Sequence, residues 1–324
     1  LFSYPRSSGD PEKTQHAFVS PYLLDTKTRN QACLTVKESS WPLNGMKPMV
    51  IGSKPIDGGH YIFTPTEHAA FLEIEPEAAP LLRPFVGARE FLQGGQRWIL
   101  ALQEASPDIL ARLPRVRGRM AEVRAYRRRS KSKPTQKLAE TPTLYHVNVL
   151  PDGPFLVIPE VSSKRKEYVP IGWLKPPTIP SNLVNVLENA SLADFALLTS
   201  AMHMAWLHTV GGRLGSSYRY SIGVVYNTFP IPSSVATGEA DLSALEALAQ
   251  DVLDARSAHP EATLANLYDP ILMPPNLRRA HQRLDRAVDR PIGVQDLPRS
   301  MNVWGICSNF TRRCVHCWKL HREK

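Results

Sequence analysis

The sequence predicts an α+β chain: a mixed strand-and-helix domain over residues 47–232, then a small helical domain over 233–292. Two patterns predict it. Short apolar runs bounded by Gly and Pro turns fill the first part, and apolar residues recurring every three to four positions mark the second. A chain of 324 residues, 43% hydrophobic and 21% charged, can bury a substantial core and reads as globular.

Residues 48–65, PMVIGSKPIDGGHYIFTP, are expected to form two short strands around an Asp57-Gly58-Gly59 turn. Pro107 to Leu113 and Arg115 to Arg129 read as helices. In the second, Val116, Met120, Val123 and Arg127 recur on one face, which turns most of the arginines outward. Pro134 is expected to end that helix, because it lacks an amide hydrogen and restricts Lys133. LYHVNVL and FLVIPEV flank Pro151-Asp152-Gly153-Pro154 as a second hairpin, and YVPIGWL follows as a strand.

From Ser191 the pattern changes. Ser191 and Asp194 resemble a capping box opening one long buried helix, LADFALLTSAMHMAWLHTV, stopped by Gly211-Gly212. YRYSIGVVYNTF then returns as a strand. Leu242, Leu245, Leu248, Val252 and Leu253 mark one amphipathic helix. Leu277, Ala280, Leu284, Ala287 and Val288 mark another, opened by Pro274-Pro275.

The net charge of +9 is concentrated. Between Arg112 and Lys137 eleven Arg and Lys face the single acid Glu122, a local balance of +10 that leaves −1 for the rest of the chain. Like charges at this density repel unless an anion offsets them, so the segment reads as a polyanion-binding face rather than a solvated helix surface. A second charged stretch, SSKRKEYVPIG, places Ser163, Lys164, Arg165, Lys166, Glu167 and Tyr168 after a strand. Side chains of both signs there can meet base edges, Arg or Lys at guanine and Glu at cytosine. In GGRLGSSYRYS, Arg213, Tyr218, Arg219 and Tyr220 could touch phosphate or simply cover a sheet.

Other chemistries find no support. No apolar run is long enough to span a bilayer, and LFSYPRSSGDPEK is not a secretory signal. GxxxxGK[ST] and GxSxG are absent. Met273-Pro274-Pro275-Asn276 lacks the flanking polar and aromatic residues of a base-gripping loop, and Gly211-Gly212-Arg213-Leu214-Gly215 follows a helix rather than a strand, so neither a flipped base nor S-adenosylmethionine has its motif. His203 and His208 lie five apart, off any shared helical face, and His203 reads as a core or capping histidine. Cys307, Cys314, Cys317 and His321 offer one half of a zinc site without the other. Residues 293–324 therefore read as a disordered or frameshifted tail with no metal. Cys33 stands alone, which excludes a disulfide framework and favours the cytoplasm.

KPIDGGH, RPFVGAREFLQGGQRW, RRRSKSKPTQKLAETP, VIPEVSSKRKEYVPIGWL, SAMHMAWLHTVGGRLGSSYRYSIGVVYNTFPIP and LYDPILMPPNLRRAHQRLDRAVDR resemble, in order, successive blocks of the MmeI-like, type IIL restriction-modification family of adenine DNA methyltransferases. The likeness covers the target recognition domain and the C-terminal helical region, and it makes residues 1–46 the exit of a truncated methyltransferase domain. It implies a partner, double-stranded DNA, and a role for Arg124, Arg127, Arg128, Arg129, Lys131, Lys133 and Lys137 on the DNA backbone. It also implies base reading by Ser163 to Tyr168, centred on Lys164 and Lys166, with Asn227 of VYNTFPIP as scaffold first and DNA contact second. S-adenosylmethionine is expected in the full-length family and no cofactor in this chain. Two alternatives are a specificity subunit working with a separate methyltransferase chain and a nonspecific nucleic-acid-binding protein.

Overall fold

The computed structural model describes residues 2–3, 10, 12–19, 21–22, 25–26, 35–231 and 242–289. The Cys307 to His321 cluster and Cys33 lie outside these residues.

Mixed helices and sheets arrange around two main cores. A four-stranded sheet, in the order Ile179–Pro180, Leu82–Val86, Trp98–Leu100, Ile62–Phe63, carries the first core. Phe63, Phe85, Ile99 and Leu102 pack there against Phe71 of the Pro65–Ile74 helix and Val116 and Val123 of the Pro114–Arg128 helix. Thr64 opens the former helix with a capping box: its Oγ1 accepts from the Glu67 amide, and its own amide donates to Glu67 Oε2 at 2.9 Å.

The second four-stranded sheet is antiparallel throughout, in the order Gly172–Leu174, Phe155–Pro159, Val184–Glu188, Val50–Ile51. All five residues of Phe155–Pro159 are buried because both faces are covered. Leu156 and Ile158 face the larger core, while Phe155 and Val157 face a small cluster with Val184 and Val186. The helices Leu192–Thr199, Ala201–Val210, Ser243–Ser257, Leu264–Leu267 and Pro275–Asp289 complete the larger core. Residues 179–188 link the two sheets, with Ile179–Pro180 in one and Val184–Glu188 in the other. Gly52 lies so close to this link that a Cβ would come within 2.2 Å of the Ser181 carbonyl oxygen.

Both expected hairpins are replaced by long-range pairings. Val50–Ile51 pairs with Val184–Glu188, and Ile62–Phe63 with Trp98–Leu100. Phe155–Pro159 lies between Gly172–Leu174 and Val184–Glu188, while Val147 makes only an isolated bridge to Lys54. The helix expected to end at Pro134 already ends at Arg128, and Pro134 instead sits in the first turn of the short Lys133–Lys137 helix. The long buried helix is two, broken at Ser200, whose Oγ accepts from the His203 amide at 3.1 Å. Of YRYSIGVVYNTF only Tyr218 and Arg219 are in a strand, and Ile222–Tyr226 forms a π-helical turn. The helices expected near 107–113, 115–129, 242–253 and 277–288 are present as Pro107–Arg112, Pro114–Arg128, Ser243–Ser257 and Pro275–Asp289.

Candidate nucleic-acid interface

The Pro114–Arg128 helix divides its basic residues between interior and solvent. Arg127 is fully buried, on the stripe with Val116 and Val123. Its five N–H groups all donate to backbone carbonyls: Nε to Ile56 at 2.9 Å, Nη1 to Leu138 at 2.9 Å and Thr141 at 3.1 Å, Nη2 to Pro55 and Leu144 at 2.8 Å. Burial lowers its pKa, with Tyr61 and Asp57 opposing. This arginine ties the helix to the Pro55-Ile56 turn and to the 138–144 loop, so the expectation that it grips DNA phosphate is corrected: none of its donors is left for a ligand.

Its neighbours face water. Arg124, Arg128, Arg129, Lys131, Lys133 and Lys137 are exposed. Arg124 Nε reaches the Ala139 carbonyl at 3.3 Å, Arg129 Nε the Ala125 carbonyl at 3.3 Å, and Arg128 Nη2 a half-open pair with Glu140 at 3.5 Å. Such exposed pairs stabilise the fold little, so these cations can turn to an external anion at small cost. The buried arginine anchors the segment and the six exposed cations form its edge.

The charged loop leaves a three-stranded sheet ordered Val161–Ser162, Ser217–Arg219, Gly212–Leu214. Ser162 lies opposite Tyr218, and Tyr218 opposite Arg213. Ser163 and Leu214 therefore leave the sheet at the same end, which brings the loop and the hairpin tip together. Ser163 makes the turn: its Oγ accepts from the Arg165 amide at 3.3 Å and its carbonyl from the Lys166 amide at 3.2 Å. Ser163, Lys164 and Arg165 are exposed; Lys166 is half-buried, its pKa lowered by burial with Asp269 opposing.

The remainder of the loop is tied to the Pro275–Asp289 helix. Glu167 accepts two hydrogen bonds from Arg278 Nη1, at 2.6 and 2.7 Å. Tyr168 is buried, stacks on His281 at 4.0 Å between ring centroids and donates from Oη to Asp285 at 2.7 Å. The expected base-reading role is thus corrected for Tyr168, which is a core residue, and Glu167 is engaged by an arginine that sequence reasoning missed. Arg278, His281 and Asp285 lie at i, i+3 and i+7, a shared helical face that could have signalled their common task.

The hairpin residues divide in the same way. Tyr220 is buried and bonds His203 Nε2 at 2.9 Å, and Asn227 is buried with its amide donating to the Ser39 carbonyl at 2.8 Å. Neither is available to DNA, so of the two roles expected for each residue the structural one stands and the DNA contact is corrected. Burial lowers the His203 pKa to about 3, in keeping with a core histidine. Tyr218 stacks on His208 at 4.2 Å, and Arg213 lies 3.7 Å over the Tyr218 ring. Arg219 pairs with Glu160 at 2.9 Å. Arg213 and Arg219 remain exposed.

Gly58 and Gly211 are closely packed, while Gly59 and Gly212 face open space. A Cβ on Gly58 would come within 2.7 Å of the Tyr126 ring, and Gly211 caps a helix under Leu207. Among the described residues no group of His, Cys, Asp and Glu could hold a metal ion, and no helix is long and apolar enough to cross a membrane.

Comparison with known proteins places this geometry. The model of the MmeI target recognition domain matches residues 30–233, and that of the MmeI C-terminal domain residues 237–296. "DNA methyltransferase A" of Bacillus subtilis (strain 168) is 36% identical over 283 residues, covering 87% of this chain and 31% of that protein. The solved structure of the type IIL restriction-modification enzyme MmeI in complex with DNA superimposes with a TM-score of 0.88 at 34% identity, over 97% of this chain and 41% of that one. The chain thus spans less than half the length of either relative. It belongs to the MmeI family, of which it carries the target recognition and C-terminal domains.

Proposed function

We propose that this chain is the sequence-reading part of an adenine-specific, type IIL-like DNA methyltransferase of a restriction-modification system, acting in the cytoplasm on double-stranded DNA. The observation that carries the reading is the division of cations between core and surface. Arg127 anchors the segment, while Arg124, Arg128, Arg129, Lys131, Lys133 and Lys137 form an exposed edge in which Arg128 meets Glu140. Those six side chains contact phosphates and fix position. The Ser163 to Lys166 turn enters the major groove and specifies sequence, with Arg213 and Arg219 supporting it from the adjoining hairpin. The likeness to an MmeI–DNA complex at 34% identity supports this assignment.

Methyl transfer from S-adenosylmethionine to adenine N6 is assigned to the catalytic part of the family, not to the two matched domains. Purified chain is expected to bind duplex DNA without transferring a methyl group; methylated product from this chain alone would refute the assignment. If the six edge cations each neutralise a phosphate, log affinity falls against log salt with a slope of about −5. A flat salt response refutes a polyanion-binding role of any kind. Competition among randomised duplexes separates sequence reading, which enriches one short site, from nonspecific binding, which enriches none.

A further inference from the structure

The Pro275–Asp289 helix reaches across the larger core to the loop assigned to base reading. Arg278 at its start holds Glu167 through both carboxylate oxygens. One turn on, His281 stacks on the Tyr168 ring. A further turn on, Asp285 accepts from Tyr168 Oη through Oδ2 and from the Ala201 amide through Oδ1 at 2.8 Å. Arg278 is itself steadied by Nη2, which donates to the Pro270 carbonyl at 3.0 Å. His281 is fully buried, and its Nε2 bonds Tyr268 Oη at 2.7 Å. Asp269, in the turn before this helix, is the acid that opposes the lowered pKa of Lys166.

We infer that the Pro275–Asp289 helix is the clamp that fixes the reading loop, with Arg278 and Asp285 as positioning residues for sequence preference. This deepens the proposed function and rests on its assignment of the loop to base reading. The physical reason lies in the shape of the loop. The strand that leads into it, Val161–Ser162, is two residues long and lies at the sheet edge, so the sheet holds it from one side only. A direct contact to a base edge discriminates only if the side chain arrives in one orientation, and a side chain on a loose loop samples several. Glu167 and Tyr168 are the two residues directly after Lys166, so holding them fixes the direction in which Lys164, Arg165 and Lys166 emerge. The helix thereby contributes to which duplex is preferred by holding the loop that reads it.

The test compares affinities across a pool of randomised duplexes for the wild-type chain, Arg278→Glu, Tyr168→Phe and the charge-exchanged double variant Glu167→Arg/Arg278→Glu. A residue that only supports the fold would scale binding to all duplexes alike, so the readout is the ratio of affinities between the best duplex and its single-base variants. Arg278→Glu is expected to lower that ratio about fivefold or more, and the double variant to restore part of it. Tyr168→Phe keeps the ring on His281 and removes the Oη bond to Asp285, a milder change that is expected to lower the ratio less. An unchanged ratio in Arg278→Glu and Tyr168→Phe overturns the clamp alone. A wild-type chain that ranks all duplexes equally overturns the base-reading assignment, and the clamp with it.

Discussion

Replacing Arg127 by Ala removes five donors at once from the carbonyls of Pro55, Ile56, Leu138, Thr141 and Leu144. Hydrogen bonds to a charged group contribute about 1.5–3 kcal/mol each, but part of that offsets the cost of burying the guanidinium. Breaking a buried, fully engaged charged group typically costs about 3–5 kcal/mol, and a lost long side chain adds a packing defect. Against a total stability of about 5–15 kcal/mol, this threatens the fold near the 55–57 turn and the 138–144 loop. The paired control is Arg128→Ala, one residue away, whose contact to Glu140 at 3.5 Å is exposed on both sides. It should change stability by less than about 0.5 kcal/mol. Urea denaturation followed by tryptophan fluorescence checks both, and salt-dependent DNA binding by the folded variants completes the comparison. Arg128→Ala should lower the salt slope by about 0.9, whereas Arg127→Ala should leave the slope of its folded fraction unchanged. Destabilisation below about 1 kcal/mol for Arg127→Ala, or a slope lowered by that change and not by Arg128→Ala, would refute the assignment of Arg127 to the interior.

Three further outcomes are expected. His203 has its folded pKa lowered from 6.5 to about 3, so the unfolded chain binds its proton first; its contribution is complete above about pH 7 and declines as pH falls from 6.5 toward 3. The loss is about 1.4 kcal/mol per pH unit within that window, and His203→Gln should show a shallower fall of urea midpoint with acid; an identical fall would count against a neutral buried histidine. Ser191→Ala removes the acceptor of the Asp194 amide and should cost about 1 kcal/mol by thermal denaturation, while no change would mean the cap is redundant. Converting Lys131, Lys133 and Lys137 together to Gln should weaken all duplexes alike and lower the salt slope by about 2.7, and a change in sequence ranking instead would move these lysines from phosphate to base contact.

The helices were legible because each carries its own signal. Val116 and Val123 in one helix and Leu277, Ala280, Leu284 and Val288 in another recur on one face, and those faces are buried. Sheet pairing was not, because Asp57-Gly58-Gly59 and Pro151-Asp152-Gly153-Pro154 show where the chain can turn and not which strand it meets next. The break at Ser200 was hidden inside apolar residues on every side, where a serine reads as tolerated rather than as a cap. At Arg127 two signals conflicted: periodicity pointed it inward and charge pointed it outward. Periodicity prevailed because five carbonyls converge on the site and solvate the guanidinium. The exposure of Arg128, Arg129, Lys131, Lys133, Lys137, Lys164 and Arg165 could be read from charge alone. Which segment the shared face of Arg278, His281 and Asp285 holds could not, since Arg278 stands 111 positions from Glu167.

The central claim is that this chain reads DNA sequence through the 163–166 turn while its basic edge holds phosphate. Selection of the purified chain on randomised duplexes, repeated with Lys164→Ala and Lys166→Ala, tests both halves together. One short sequence should be enriched by the wild type, and the lysine variants should relax preference at particular positions within it, each by about 1–3 kcal/mol. Uniform binding to every duplex, or an enriched sequence left unaltered by both substitutions, would contradict the account.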